Sequence, residues 1–147
     1  MPGLVNIERK IHVLHVEDDD GDAFLTARAF RAHGSGIELH RVTGGQDALQ
    51  FLTRSGPYAD APRIRCVLLD LQMVNGDGSW LLDRMAELDR LVVPPTIVVS
   101  GDPDGVVESR QYPFVSCSVV KPDSNEAFAA LLETVRRITM ISVGMVA

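Results

Sequence analysis

The stretch IHVLHVEDDDGD, from Ile11 to Asp22, joins an apolar run to a crowd of acidic residues. Its first six residues are typical of a buried strand, and the acids beginning at Glu17 follow directly at the carboxyl end. Carboxylates a few ångströms apart repel one another, so crowding them costs stability unless a cation or several hydrogen-bond donors neutralise them. The stretch is therefore either a solvated turn or one wall of a metal site.

Length and composition favour one domain with a substantial core. The chain has 147 residues, and 46% of them are hydrophobic. We expect a single domain over residues 1–147, with its core over about 11–138 and an apolar extension over 139–147.

Charge and hydropathy argue against two kinds of partner. The formal net charge is −6, and lysine and arginine do not cluster as a phosphate backbone requires, so we expect no nucleic-acid binding. The longest apolar tract is far shorter than the roughly 20 residues that cross a bilayer, so we expect no membrane partner. The first residues lack the pattern of a signal peptide, which predicts a cytoplasmic protein.

Cysteine and histidine show no metal-binding spacing. Cys66 and Cys117 each lie in an apolar, strand-like run, where a thiol usually behaves as a small buried hydrophobe. The four histidines form no i, i+4 pair, and His12 and His15 point to opposite faces if they share a strand. The spacing predicts no histidine metal site.

Strand and helix signals alternate along the chain. Five runs predict strands: Ile11–Val16, Ile37–Thr43, Ile64–Asp70, Thr96–Ser100 and Val115–Lys121. Five runs have helical patterns: GDAFLTARAFRAHG, GGQDALQFLTRSG, WLLDRMAELDRL, a weak stretch over 105–114 and SNEAFAALLETVRRI. Near-continuous apolar strands between helices predict a parallel sheet covered on both faces, which is a doubly wound α/β fold. The more polar second strand belongs at an edge, which favours the flavodoxin-like order 2-1-3-4-5.

Polar side chains stand at the carboxyl ends of four of the predicted strands. These are Glu17 with Asp18, then Asp70, Ser100 and Lys121. In a parallel sheet all four ends lie on one edge, where open α/β folds bind ligands. Three converging carboxylates favour a hard divalent cation such as Mg²⁺, which tends to bridge one or two carboxylates to phosphate oxygens. The coordination positions of Mg²⁺ that the carboxylates leave open therefore point to a phosphoryl group as a further ligand.

The motifs VEDDDGD, LLDLQMVNGDG, VVSG and VVKP resemble those of the response regulator receiver domain of two-component systems, in order and approximate spacing. The resemblance covers roughly Ile11 to Ile138. The insertion GPYADAPR before the third strand resembles single-domain regulators that partner bacteriophytochrome histidine kinases. The resemblance implies a stand-alone receiver that takes a phosphoryl group from a sensor histidine kinase and signals through protein contacts. It implies no enzyme activity beyond Mg²⁺-dependent phosphotransfer and dephosphorylation of the receiver itself.

The resemblance also implies a role for each site residue. Asp70 is expected to accept the phosphoryl group, Ser100 to hydrogen-bond one phosphoryl oxygen, and Lys121 to neutralise another. The expected Mg²⁺ ligands are Glu17, Asp18, Asp70 and the backbone carbonyl of Gln72.

Four features bear on how far the family pattern holds. The turn after Asp70 has Val74 where the family usually has proline, and Gly76 where it has a larger apolar residue. Ser118 stands where many receivers carry an aromatic switch residue, and the stretch 105–114 is a poor helix. Lys121–Pro122 resembles the cis peptide of the family.

Two other classes of function stay open. A phosphate-independent pseudo-receiver would lack one or more of the acids, the acceptor or the lysine, all of which are present here. A haloacid-dehalogenase-type phosphatase would need a second aspartate two residues after the first, where this chain has Gln72.

The apolar extension TMISVGMVA after Ile138 predicts self-association, because exposed apolar patches often mark interfaces and homo-oligomers are usually two-fold symmetric. We expect a homodimer formed by the last helix, this extension and the region of the fourth and fifth strands.

Overall fold

The computed structural model describes residues 10–74, 77–102 and 111–146, with side chains as far as Met140. The described strands are β1 (Ile11–Val16), β2 (Ile37–Val42), β3 (Cys66–Asp70), β4 (Thr96–Ser100) and β5 (Val115–Val120). The described α-helices are α1 (Asp20–His33), α2 (Gly45–Thr53), α3 (Asp77–Ala86) and α4 (Asn125–Val146), with a short 3-10 helix at Gly56–Tyr58.

The five strands form one parallel sheet in the order β2-β1-β3-β4-β5. Every residue of β3 and β4 is buried, whereas β2 is mostly half-buried, so the apolar strands lie at the centre and the polar one at an edge. The predicted doubly wound α/β fold and its flavodoxin-like strand order are confirmed.

Helices cover both faces of the sheet and divide the core in two. Along β3, Val67 and Leu69 pack with α2 and α3, while Cys66 and Leu68 pack with α1 and α4. This alternation follows from the period of two along a strand. It explains why β3 has no charged residue before Asp70 at its carboxyl end.

Helix α1 begins and ends at residues suited to those places. The side chain of Asp19 accepts a hydrogen bond from the backbone N–H of Asp22 at 2.8 Å, which is an N-cap. At the other end the N–H of Gly34 donates to the carbonyl of Phe30 at 2.7 Å. A Cβ at Gly34 would lie 2.5 Å from that carbonyl oxygen, so the close approach requires glycine.

Several predicted boundaries differ from the structure. Helix α3 begins at Asp77 and ends at Ala86, rather than covering residues 80–91. Helix α4 continues past Ile138 to Val146. The described residues contain no cis peptide bond, so the expected cis form at Lys121–Pro122 is wrong. Trans is the lower-energy form even before proline.

Two further points concern helices. Residues 105–110 of the predicted weak helix over 105–114 lie outside the described residues, and residues 111–114 form a turn. Within the described part of the chain, no helix combines the length and the apolar character that crossing a bilayer requires.

Candidate functional site

The backbone ladder carries the chemistry-bearing residues to one edge of the sheet. The N–H of Glu17 donates to the carbonyl of Val42 at 3.0 Å, one residue beyond the end of β1. The N–H of Lys121 donates to the carbonyl of Ser100 at 3.0 Å, one residue beyond β5. The sheet pairing therefore continues to the first residue after each strand and fixes where those side chains begin.

Three carboxylates meet at this edge. One oxygen from each of Glu17, Asp18 and Asp70 lies within 4.8 Å of the others. Glu17 and Asp70 are each only 2% exposed, and Asp18 is half-buried. The sequence prediction that these acids converge is confirmed.

The loop after β3 is held by two of these acids. Asp70 Oδ1 accepts a hydrogen bond from the N–H of Gln72 at 2.9 Å, and Asp18 Oδ2 accepts one from the N–H of Val74 at 3.0 Å. Each bond satisfies part of the hydrogen-bonding capacity of a carboxylate without adding a counter-charge.

Lys121 supplies the positive charge that faces the carboxylates. Its Nζ lies 3.4 Å from Glu17 Oε1 and 3.4 Å from Asp70 Oδ2, and it is in direct contact with the carboxylate of Asp22. The side chain of Lys121 is 28% exposed. Burial acts to lower the pKa of Lys121, but the hydrogen bond to Asp22 and the charges of Asp70 and Glu17 raise it overall. The ammonium therefore stays charged at neutral pH.

The raised pKa of Glu17 shows that the single charge of Lys121 does not neutralise all three carboxylates. Burial, reinforced by the hydrogen bond and charge of Asp70, raises the pKa of Glu17 from 4.5 to about 8. The protein thus favours a proton on Glu17 at neutral pH. A divalent cation could replace that proton, and an all-oxygen donor set of this kind is what hard cations such as Mg²⁺ and Mn²⁺ prefer. The residues present fit such an ion.

Ser100 lies at the same edge but is turned toward its own loop. Its Oγ accepts a hydrogen bond from the N–H of Asp102 at 3.0 Å and donates to the carbonyl of Asp102 at 3.2 Å. The hydroxyl stands at the strand end where the sequence predicted it, and its expected contact with a phosphoryl oxygen stays a prediction.

Gln72 contacts the loop after β4 through its side chain. Its Oε1 accepts a hydrogen bond from the N–H of Gly101 at 3.1 Å. A Cβ at Gly101 would lie 2.7 Å from that oxygen, so the missing side chain of Gly101 makes room for the amide of Gln72. The expected metal contact of the Gln72 carbonyl stays a prediction.

Asp22 is the site residue that sequence reasoning missed. The acids after Asp18 stand at the start of α1, where carboxylates favour the helix dipole. Asp19 is the N-cap, and the carboxylate of Asp20 in the first turn lies 2.9 Å from Arg41 Nη2. Asp22 shares this first turn and also reaches Lys121. The sequence feature that could have identified Asp22 is its position in the first turn of the helix that follows β1, since the carboxyl end of β1 forms part of the site.

Comparison with known proteins identifies the family. No protein-family model matches the chain. Response regulator Rcp1 from Synechocystis sp. is 30% identical over 111 residues, which are 74% of this chain and 75% of Rcp1. The chain belongs to the response regulator family.

Solved structures support the same conclusion about the fold of this response regulator. The phosphorylated cyanobacterial phytochrome response regulator RcpA has a TM-score of 0.72 and 27% identity, covering 88% of this chain and 91% of RcpA. The bacteriophytochrome response regulator AtBRR has a TM-score of 0.70 and 28% identity, covering 84% of this chain and 91% of AtBRR. The Mn²⁺-bound form of Rcp1 has a TM-score of 0.69 and 27% identity, covering 87% and 91%. The chain is a receiver whose relatives include bacteriophytochrome response regulators.

Proposed function

We propose that this response regulator accepts a phosphoryl group on Asp70 from a sensor histidine kinase of the bacteriophytochrome type, and acts as one step of a phosphorelay in the cytoplasm. The observation that carries the proposal is the position of Lys121 Nζ, 3.4 Å from the carboxylates of both Glu17 and Asp70 at the carboxyl edge of the sheet. An aspartate can act as the nucleophile for phosphoryl transfer, and a fixed ammonium beside it neutralises charge on the transferred group.

In the proposed transfer, a carboxylate oxygen of Asp70 attacks phosphorus while the bond from phosphorus to the kinase histidine breaks. The bonding electron pair returns to the imidazole nitrogen, and the product is an acyl phosphate on Asp70. Asp70 Oδ1 is oriented by the N–H of Gln72, and Oδ2 faces Lys121. These contacts fix the nucleophile before the donor arrives, which is how positioning contributes to phosphoryl transfer.

The cation ligands in this proposal are Glu17, Asp18, Asp70 and the carbonyl of Gln72. When bound, Mg²⁺ supplies positive charge next to the equatorial phosphoryl oxygens. Support comes from the three carboxylates within 4.8 Å of one another and from the Mn²⁺-bound form of Rcp1, a protein similar to this chain.

In the proposed function, phosphorylation of Asp70 changes the hydrogen-bond partner of Ser100. Its hydroxyl now closes a turn with the backbone of Asp102. Donating to a phosphoryl oxygen on Asp70 would require the hydroxyl to leave the carbonyl of Asp102. We propose that this exchange of partners moves the backbone of Asp102 and so carries the signal to a protein partner.

We also propose a homodimer formed by α4, whose last turns carry most of the apolar extension, and by the region of β4 and β5. Met140 on α4 and Val120 at the end of the edge strand β5 are each 68% exposed. Truncation after Ile138 is expected to give a monomer that still accepts phosphate, measured by sedimentation velocity. An intact protein that sediments as a monomer at tens of micromolar, with and without an acyl-phosphate mimic, would refute the dimer.

Phosphorylation can be tested with a small-molecule donor and intact-mass measurement. Acetyl phosphate and Mg²⁺ should add one phosphoryl group to the wild type and none to Asp70→Asn, which is nearly isosteric. Asp20→Asn is the matched control, because Asp20 is a highly exposed acid of the same segment. An Asp70→Asn protein labelled with unchanged stoichiometry would sink the assignment of the acceptor.

A further inference from the structure

Three side chains of kinds that can bind metal ions share one face of the β1–β2 pair, away from the acidic site. His12 on β1 lies directly opposite Glu38 on β2, and His40 follows Glu38 by two residues. Residues two apart on a strand point to the same face, and neighbouring strands are about 4.8 Å apart. His12, Glu38 and His40 are therefore brought together by the strand register and not by spacing within one element.

The distances between their ligand atoms suit a single ion. His12 Nδ1 lies 2.9 Å from His40 Nε2 and 3.7 Å from Glu38 Oε2, and one ligand atom from each of the three lies within 4.8 Å of the others. A tetrahedral ion bound to nitrogen at about 2.0–2.1 Å separates its ligand atoms by about 3.3 Å. The two measured separations lie on either side of that value, so small side-chain rotations would close the site.

We propose that His12, Glu38 and His40 form a zinc site, distinct from the acidic site at Asp70. Two imidazoles and one carboxylate are a donor set that Zn²⁺ takes in proteins, with a water in the fourth position. Mg²⁺ prefers oxygen ligands and would bind here poorly. All three residues are partly exposed, which leaves an ion a route of entry and a place for the water.

Neighbouring side chains orient the imidazole of His40, and one lysine competes with an ion for the carboxylate of Glu38. The ring of His40 packs against Phe51 at a centroid distance of 5.5 Å, and Phe51 packs against Tyr58 at 5.1 Å. This aromatic packing holds the imidazole of His40 in place beside His12. The competitor is Lys10, whose Nζ lies 3.9 Å from Glu38 Oε2, but both side chains are substantially exposed and such a pair is weak.

The proposed site would join the edge strand to the centre of the sheet. Glu38 and His40 lie on β2, and His12 lies on β1. His12 precedes Glu17 by five residues, so the two sites are separated by about 16 Å along the strand direction. Bound zinc would therefore stabilise the pairing of β2 without occupying the acidic site.

Imidazole spectra test the proposal on the unmodified protein. Long-range ¹H–¹⁵N spectra are recorded during addition of ZnCl₂ at about pH 7.5, where an unperturbed imidazole is mostly neutral. Millimolar Mg²⁺ is present throughout to compete for the oxygen ligands of the acidic site. The rings of His12 and His40 should shift while those of His15 and His33 do not. Unchanged His12 and His40 signals at a roughly tenfold molar excess of zinc would overturn the proposal and leave only the His12–His40 hydrogen bond.

Variants give an independent test by isothermal titration. His40→Gln and His12→Gln should each weaken zinc binding at least about tenfold, since even an outer-shell partner is worth roughly 10- to 100-fold. His33→Gln is the matched control, because His33 is exposed and outside the cluster. Circular dichroism verifies that each variant is folded. If a variant is not folded, the imidazole spectra of the wild-type protein alone test the proposal. Zinc affinity equal to that of the wild type in a folded His12→Gln or His40→Gln protein would overturn the proposal.

Discussion

Replacing Glu17 with glutamine should stabilise the metal-free protein near neutral pH, although Glu17 is a proposed metal ligand. Burial and the neighbouring Asp70 raise the pKa of Glu17 from 4.5 to about 8. The folded state therefore holds a proton that the unfolded state has released between these two pH values. Because the unfolded state binds fewer protons in this window, the free energy of unfolding falls as pH rises. Glutamine keeps a neutral donor at the same place and does not titrate.

The magnitude follows from the size of the shift. Each pH unit between the unfolded and folded pKa values costs about 1.4 kcal/mol, so the wild type loses roughly 3 kcal/mol by neutral pH. For a chain of this length that corresponds to a difference of roughly 6–12 °C in Tm. Glu17→Gln and the wild type should be similarly stable at about pH 4.5, and the variant should become the more stable as pH rises toward 8.

The measurement is the difference in Tm between variant and wild type, by calorimetry in EDTA across this pH range. The wild-type curve alone is ambiguous, because burial lowers the pKa of His15 from 6.5 to about 4. His15 therefore adds stability as pH rises over that interval, opposite in sign to Glu17, and it is common to both proteins. Glu133→Gln is the control, because Glu133 is exposed on α4.

Two results would refute the reasoning. Parallel pH profiles for the wild type and Glu17→Gln would mean that Glu17 ionises normally in the folded protein. Saturating Mg²⁺ should also reduce or reverse the advantage of the variant, because the bound cation stabilises the wild-type carboxylate. An advantage unchanged by Mg²⁺ would show that Glu17 is not a ligand.

The other predictions concern the remaining charges of the site. Asp18→Ala should weaken Mg²⁺ binding at least about tenfold by isothermal titration and raise the Tm of the metal-free protein, since it relieves repulsion among the carboxylates. Wild-type Mg²⁺ affinity in this variant would place the ion elsewhere. Lys121→Ala should slow labelling of Asp70 by acetyl phosphate and lower the Tm without metal, because it leaves the carboxylate of Asp70 buried without its counter-charge. Equal labelling rates and equal Tm values would argue against its role.

The parts of the fold that the sequence predicts well are those fixed by burial. Strands β1 and β4 have the predicted bounds because a polar residue marks the carboxyl end of each: Glu17 follows β1 directly, and Ser100 is the last residue of β4. The same property placed Glu17, Asp70, Ser100 and Lys121 at one edge, since parallel strands share the direction of their carboxyl ends. Topology alone was enough to bring these residues near one another.

Helix ends were predicted less well because apolar periodicity marks only the middle of a helix. Helix α3 begins at Asp77, three residues before the first large apolar side chain, Trp80. The end of α4 was placed at Ile138 because the amphipathic pattern of SNEAFAALLETVRRI ends there, although no glycine or proline stands between Ile138 and Gly144. A stop signal would have been the better guide there.

Partners on different elements depend on register, which spacing within one element does not reveal. The absence of an i, i+4 histidine pair argued against a histidine site, yet His12 and His40 lie on neighbouring strands with their ring nitrogens 2.9 Å apart.

The information needed to place these histidines is present in the core pattern. Leu14 and Val16 on β1, and Val42 on β2, belong to the same buried cluster. His12 is an even number of residues from Leu14, and His40 is two residues from Val42, so burial of the apolar residues turns both histidines to that face. A slip of one residue in either strand would expose the apolar set. The core that holds the sheet together therefore also fixes the geometry of the proposed zinc ligands.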